Sequence, residues 1–261
     1  MKTVLTGFLT AVLALCLTAV SAQAIVVLDS AAGYSITYDG NDGDFFNNVT
    51  GATVPDNAAL ATNGATAFGD PSAFPIPHQV TDLNNGIYGN TNSWIGGNTA
   101  STSRAGIALP GLISISSIAW GRDNGTDITS DPVENCGGQC TDRSLGIYTL
   151  YHTQVALPDL TTSITGIATT GWRKIGTFEY TGIGNDSILG GLFTPYFRHE
   201  YQLSFNGQAI LASGFRLDTP VGAAIDEIEL YAIPEPATLT LFGLGLLGLG
   251  AARRQNKRAA R

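Results

Sequence analysis

The sequence has little charge, little sulfur and few histidines. Lys, Arg, Asp and Glu make up 13% of its 261 residues, about half the share of an ordinary soluble domain, which argues against a helical bundle or a coiled coil. One Met, three Cys and three His leave little material for a dense metal centre. The chain has instead 32 Gly, 11 Pro and 44% hydrophobic residues, a composition that predicts a turn-rich globular body rather than disorder.

Basic residues are scarce until the last stretch of the chain. Residues 25–233 carry 20 acidic and 7 basic side chains, a net charge of −13, whereas residues 253–261 carry five basic ones. Nucleic-acid affinity depends on cations that match the phosphates. The acidic body therefore argues against a nucleic-acid partner.

The first 24 residues have the pattern of a cleaved signal peptide. Lys2 is followed by an apolar run from Val4 to Val20 and by Ala22-Gln23-Ala24, the small-x-small pattern that signal peptidase accepts. We expect the Sec machinery and signal peptidase to process the chain and the mature protein to begin near Ile25, in an oxidising compartment. A retained first transmembrane helix is the alternative.

A second apolar run, residues 237–252, contains 16 residues without charge. As a helix it would be about 24 Å long, against about 30 Å for the hydrocarbon core of a bilayer, so it predicts a short transmembrane segment. Cations after it are expected to stay on the cytoplasmic side by the positive-inside rule. These membrane-stop cations are Arg253, Arg254, Lys257 and Arg258.

The C-terminal segment resembles a known sorting signal. Pro234-Glu235-Pro236, the Leu/Gly-rich span and the basic cluster, together about residues 233–261, resemble the PEP-CTERM signal. The resemblance implies recognition of Pro234, Glu235 and Pro236 by an exosortase and processing at the inner membrane of a Gram-negative bacterium. Release to the cell surface or extracellular matrix, alongside exopolysaccharide, would follow. Ala237 stands where the family usually has Ser or Thr. An ordinary membrane anchor is the alternative.

Residues 25–232 predict one all-β domain. Alternation of apolar and polar residues over 197–205 is typical of a half-buried strand, and a slip of the apolar phase between Ile115 and Ile118 predicts a bulge. Strands joined by Gly, Asn and Asp favour an antiparallel sandwich or barrel. Residues 39–77 predict long loops with one short strand at most. The other predicted strands are 33–38, 112–120, 146–155, 172–180, 209–217 and 225–232.

Residues 80–232 resemble a galactose-binding-like, discoidin-type domain. The motifs are Leu-Asn-Asn-Gly at 83–86, Ile-Ala-Trp-Gly-Arg-Asp at 118–123, Gly-Trp-Arg-Lys-Ile-Gly at 171–176 and Ile-Asp-Glu-Ile-Glu-Leu-Tyr at 225–231. The resemblance implies an eight-stranded antiparallel jelly-roll β-sandwich whose loops at one end bind sugars or other surfaces.

The same resemblance implies a structural Ca²⁺ beside an early Asp-Gly turn and the closing strand. This chain has Asn85-Gly86 at that turn, and Asn supplies only a neutral oxygen. If calcium is bound, we expect it near Asp82, Asn85 and Glu227.

The two cysteines of the mature chain predict a disulfide. Cys136 and Cys140 are separated by Gly-Gly-Gln, which lets a short ring close, and exported cysteine pairs usually oxidise. A metal or redox site is the alternative. The acidic residues around them read either as a solvated loop or as a calcium loop.

Candidate ligand-binding residues lie in a Gly/Asn-rich stretch. Trp94 offers a ring for stacking on a sugar, or else belongs to the core, while Asn90, Asn92 and Arg104 can hydrogen-bond to hydroxyls. The other tryptophans, Trp120 and Trp172, are expected in the core, and His199, on a predicted strand, is expected in the core or at its rim.

No catalytic motif is present: the sequence lacks Gly-x-Ser-x-Gly, His-Glu-x-x-His and a phosphate loop. Glu227 and Glu229 share one strand face and could mimic a glycosidase dyad. We therefore expect an exported, non-catalytic protein that binds carbohydrate or exopolysaccharide. The alternatives are a secreted glycan-active hydrolase on a β-sandwich scaffold and a purely structural matrix or adhesion protein.

Overall fold

The computed structural model describes residues 25–28, 33–38, 52–54, 56–88, 93–97, 101–121, 146–180 and 198–233. These residues form thirteen strands and two short 3-10 helices, Ala61–Asn63 and Val80–Asn84, and contain no α-helix. The strands are β1 (Ile25–Leu28), β2 (Tyr34–Tyr38), β3 (Ala52–Thr53), β4 (Thr66–Gly69), β5 (Ile87–Tyr88), β6 (Trp94–Ile95), β7 (Thr102–Gly121), β8 (Gly146–Thr153), β9 (Arg173–Tyr180), β10 (Arg198–Phe205), β11 (Ile210–Pro220), β12 (Ala224–Ile225) and β13 (Glu227–Ala232).

Most predicted strands are confirmed, and one was too short. The prediction for 112–120 covers only the second half of β7, which starts at Thr102. The Pro110-Gly111 pair inside β7 hid the first half, because these residues ordinarily interrupt a strand. The predicted bulge is present: Tyr231 pairs with Ser117 and the next residue, Ala232, pairs with Ile115. In the described part of 39–77, two short strands and a 3-10 helix stand where long loops with one short strand were predicted.

β7 is shared by two groups of strands. Its residues 102–108 pair with β11 and, in part, with β4, residues 113–115 pair with the first residues of β11, and residues 115–121 pair with β13 and, in part, with β10. Residues 109–112 lie opposite Ser213 alone in the β11 ladder, so β7 bulges there, and beyond the bulge it exchanges β4 for β13 and then β11 for β10. The two groups, in order, are β1-β9-β8-β11-β7-β4 and β2-β10-β7-β13, and every pairing is antiparallel. The expected all-β antiparallel class is confirmed, and the body is nearly barrel-like.

Aromatic residues from both groups form the core between them. Trp120 of β7 stacks on Tyr201 of β10 at 4.9 Å between ring centroids and meets Phe178 of β9 edge-on at 4.8 Å. Trp120 and Trp172 are fully buried and His199 nearly so, as expected from the sequence. Because Phe178 and Tyr201 belong to different groups, these contacts join the two groups face to face.

The strand registers give the body two ends. Thr102 and Gly121, the two termini of β7, pair with Pro220 of β11 and with Glu227 of β13. Because only six residues separate Pro220 from Glu227, both termini of β7 lie at the same end of the body. We call it the Glu227 end. At the other end β13 finishes, and the Ile233 N–H donates to the Ser114 carbonyl at 3.0 Å. We call it the Ile233 end.

Candidate functional site

The Glu227 end brings together the three residues predicted to lie near calcium. Asp82 belongs to the 3-10 helix Val80–Asn84, Asn85 follows it, and Glu227 begins β13. The backbone N–H groups of Gly86 and Ile87 donate to Oε1 of Glu227 at 2.5 and 3.0 Å. The early Asn-Gly turn is therefore held against the closing strand.

Glu227 is fully buried, and its Oε2 has no hydrogen-bond partner among the described residues. Burial raises the pKa of Glu227 to about 9, opposed by the two backbone hydrogen bonds and reinforced by Glu229 and Asp226. A buried carboxyl of this kind carries a proton at neutral pH unless a cation takes its place. The free oxygen fits a calcium ligand.

The other two candidate ligands hold the turn itself. Asp82 accepts the Gln79 N–H at 2.6 Å and lies 3.4 Å from the Asn85 amide, whose Oδ1 accepts the Ile87 N–H at 2.9 Å. Burial raises the pKa of Asp82, against lowering by the Gln79 hydrogen bond. Within the described ranges, no group of three His, Cys, Asp or Glu side chains is placed to hold a metal. Of the implied calcium ligands, Glu227 fits best.

Arg104 lies at the same end, paired with a residue that the sequence did not single out. Its Nε and Nη2 donate to the two carboxylate oxygens of Asp70 at 3.0 and 2.6 Å, and its backbone N–H donates to the same carboxylate at 2.9 Å. The Asp70 hydrogen bond raises the pKa of Arg104, against lowering by burial. The Arg104 side chain is still 39% exposed, so part of it faces solvent.

Trp94 takes the second of the two roles that the sequence allowed, a place in the core, and not the ligand-binding role. It is fully buried on β6, and its indole N–H donates to the Asp70 carbonyl at 2.9 Å. A ring in that position cannot stack on a sugar. Trp94 instead fixes the backbone of Asp70, and through it the carboxylate that orients Arg104.

An exposed aromatic ring is supplied by a different residue, Phe74. It is 49% exposed, and its N–H donates to Ser72 Oγ at 3.2 Å. Ser72 bridges to Gly96, and the Ala73 N–H donates to the Ile95 carbonyl at 3.0 Å. These contacts hold the segment after Asp70 against β6, and Phe74 follows four residues along the chain from the Asp70–Arg104 pair.

Sequence reasoning missed Asp70 and Phe74 because both lie in the stretch predicted as loop. The signal that could have found this segment is the group of three prolines around Phe74: Pro71, Pro75 and Pro77. Prolines restrict the backbone, so such a group indicates an ordered segment. Several predicted residues fall outside the described residues: Asn90, Asn92, Cys136, Cys140 and residues 234–261.

The possible carboxylate dyad is also corrected. Glu227 and Glu229 are both fully buried, and the Tyr231 hydroxyl donates to Glu229 Oε2. Neither carboxyl can reach a substrate in solution.

In the described part of the chain no helix has the length and hydropathy needed to cross a membrane.

Comparison with protein families identifies the C-terminal segment. Residues 232–255 match the PEP-CTERM protein-sorting motif. The chain therefore carries this sorting motif, and the resemblance drawn from Pro234-Glu235-Pro236 is confirmed. None of the curated proteins matches the chain.

Several solved structures are similar to this chain. CpGH89CBM32-6 produced by Clostridium perfringens is 12% identical, with a TM-score of 0.39, over 68% of this chain and 100% of that one. A chitosan-binding module from a chitosanase/glucanase of Paenibacillus sp. IK-5 is 13% identical, with a TM-score of 0.42, over 67% and 98%. SpGH29 is 15% identical, with a TM-score of 0.39, over 69% of this chain, which spans only 28% of SpGH29.

Proposed function

We propose that this chain is exported through the Sec machinery, sorted by an exosortase and delivered to the cell surface or extracellular matrix of a Gram-negative bacterium. There, its β domain serves as a non-catalytic module that binds carbohydrate, with exopolysaccharide as its partner. The sorting motif supports the first half of the proposal. It begins at Ala232, the last residue of β13, so the signal follows the folded domain directly.

The carbohydrate half rests on the Asp70–Arg104 pair and on the exposed ring of Phe74, four residues further along the same segment. A bidentate carboxylate–guanidinium pair presents fixed donors and acceptors side by side, which suits neighbouring hydroxyls on a sugar ring. An exposed aromatic face covers the apolar C–H face of the same ring. The pair is oriented before any ligand arrives, because Trp94 holds Asp70 and Asp70 holds Arg104.

The burial of Glu227 and Glu229 favours the binding module over a glycan-active hydrolase. A glycosidase needs two carboxyls that flank the substrate bond, and these two are enclosed in the domain. In the proposal Glu227 has a structural role instead. It ties the Asn85-Gly86 turn to β13 and gives a bound Ca²⁺ one buried oxygen, with Asp82 and Asn85 on the turn beside it.

The test is a glycan array on the exported chain, followed by titration calorimetry with any glycan that binds. We expect Phe74→Ala to weaken binding by about tenfold, the upper range for loss of one aromatic contact, and Arg104→Gln to weaken it at least as much. Leu112→Ala, at the Ile233 end, and Lys174→Gln, an exposed cation on β9, are the matched controls.

A chain that binds no glycan would contradict the carbohydrate half and support a purely structural matrix protein. Equal losses in the variants and in their controls would contradict the assignment of the surface.

A further inference from the structure

Exposed aliphatic side chains gather at the Ile233 end. On β7, Leu112 and Ser114 are exposed and share one face. Leu211 of β11 pairs with Ser114 from one side, and Ile233 donates to Ser114 from the other. Leu211 and Ile233 are both exposed, and each lies one strand spacing, about 5 Å, from Ser114.

The connection between β8 and β9 extends this surface. The Gln154 side-chain amide donates to the Leu211 carbonyl at 3.1 Å, and the Gln154 N–H donates to the Ala168 carbonyl. This places the connection beside Leu211, with Leu157 and Ile167 exposed on it. Leu157 is 80% exposed at a φ of 49°, a conformation uncommon for leucine.

We call the set the apolar rim: Leu112, Leu157, Ile167, Leu211 and Ile233. Single exposed aliphatic residues are ordinary, but several that gather at one end of a domain indicate an interaction surface. The segments 108–114, 154–171 and 206–213 that carry most of the rim contain one charged residue, Asp159. The rim therefore suits an apolar partner rather than a charged one.

The chain that leaves the rim indicates the partner. The uncharged run 237–252 begins four residues after Ile233, and four extended residues span at most about 14 Å. When the sorting signal is held in a membrane, the Ile233 end lies within that distance of the lipid surface. A body of net charge −13 is repelled by anionic headgroups, so close contact has to be made by apolar side chains.

We propose that the apolar rim docks on the lipid bilayer that holds residues 237–252, so that the domain stands on the membrane with its Glu227 end outward. This rests on the membrane-held sorting signal of the proposed function. β13 separates the two ends by about 20 Å. The docked domain thus turns Phe74 and Arg104 away from the lipid.

The experiment uses the mature chain, residues 25–261, which lacks Cys16, with Cys136→Ser and Cys140→Ser, inserted into phosphatidylcholine vesicles that contain doxyl-labelled lipid. A bimane fluorophore is attached to Leu211→Cys or Ile167→Cys on the rim, or to Thr102→Cys, an exposed control at the Glu227 end. Quenching should be severalfold stronger at the two rim positions than at the control. Adding Leu112→Ser and Leu157→Ser should bring quenching at Ile167→Cys down toward the control.

Flotation of the same vesicles reports separately on the membrane anchor. If the protein floats and the rim positions are quenched no more than Thr102→Cys, docking is overturned while the sorting proposal stands. If the protein does not float, the membrane-held signal fails and docking fails with it. Protection of the rim by a second copy of the chain, seen as cross-linking without quenching, also overturns the proposal.

Discussion

The Oε1 atom of Glu227 accepts a hydrogen bond from the backbone N–H of Gly86 at 2.5 Å, across 141 positions of sequence. The second carboxyl oxygen is buried without a partner among the described residues. Burial raises the pKa of this carboxyl to about 9, so at neutral pH and without a cation the side chain is protonated. A neutral side chain of the same shape can then replace it.

The first prediction follows from this protonation state. Glu227→Gln keeps the acceptor for Gly86 and Ile87 and is expected to change the free energy of unfolding by less than about 1 kcal/mol. Glu227→Ala removes the acceptor, leaves two backbone N–H groups unpaired and opens a cavity, and should cost about 2–4 kcal/mol. Urea unfolding of both variants in calcium-free buffer at pH 7 measures the difference. Equal losses would contradict a protonated Glu227.

The second prediction concerns calcium. A cation bound only by the folded state raises the melting temperature, so millimolar Ca²⁺ should stabilise the wild type. Glu227→Gln offers no carboxylate and should respond much less. Magnesium is the control ion, because its tighter octahedral geometry suits a backbone-rich turn poorly. An unchanged melting temperature in millimolar Ca²⁺ would show that this turn binds no calcium.

Local patterns in the sequence predicted the strands well where alternation was clean. His199, Tyr201 and Leu203 point inward on β10 as their spacing required, and the phase slip before Ile118 marked a real bulge. Strand alternation and the bulge depend on residues that are neighbours in the sequence, so a local sequence pattern is enough to predict them.

Pairings between distant residues were harder to predict. Nothing local links Asp70 to Arg104, 34 positions away, because the contact exists only once β4 lies beside β7. Trp94 was ambiguous for a related reason. Its Gly- and Asn-rich neighbours resemble a surface loop, and only its pairing with Ile225 encloses it.

The third prediction is a loss of stability in acid that depends on His152. Its Nε2 shares a 2.5 Å hydrogen bond with the Tyr34 hydroxyl, and burial, aided by Arg173, lowers its pKa to about 4. The native ring stays neutral while the unfolded ring takes up a proton near pH 6.5. The contribution of the neutral His152 ring to the free energy of unfolding is therefore fully present above that pH. It is lost as the pH drops toward 4, by about 3 kcal/mol in total.

Urea unfolding at pH 7 and pH 4.5 tests this dependence. His152→Gln should lose markedly less stability than the wild type between the two pH values. His78→Gln, a change at a partly buried histidine bonded to the Ser93 carbonyl, serves as the control and should follow the wild type. Parallel losses in all three proteins would assign the acid sensitivity to other groups.

The fourth prediction separates the core tryptophan from the surface phenylalanine. Trp94→Phe removes the hydrogen bond to Asp70 and part of a buried ring, and should cost about 1–3 kcal/mol of stability. Phe74→Ala removes a half-exposed ring and should cost less than about 1 kcal/mol, while it weakens glycan binding. Thermal unfolding and calorimetric titration of both variants give the comparison. A Phe74→Ala chain as unstable as Trp94→Phe would place Phe74 in the core.

The fifth prediction is that the sorting signal is processed rather than kept as an anchor. The apolar run has 16 uncharged residues with several glycines among them, whereas a permanent helix gains from about 20 strongly apolar ones. Pro234 and Pro236 favour an extended spacer, which we expect to hold the Glu235 carboxylate at the outer surface of the inner membrane. Glu235→Ala should therefore stop release but leave insertion intact, because Glu235 lies outside the apolar run.

Fractionation of a native host that carries an N-terminally tagged mature chain measures both steps, with Thr238→Ala as a neighbouring control. Equal processing of the wild type and Glu235→Ala would show that Glu235 is not needed for recognition. Full-length wild type in the inner membrane would show that the segment is an ordinary anchor.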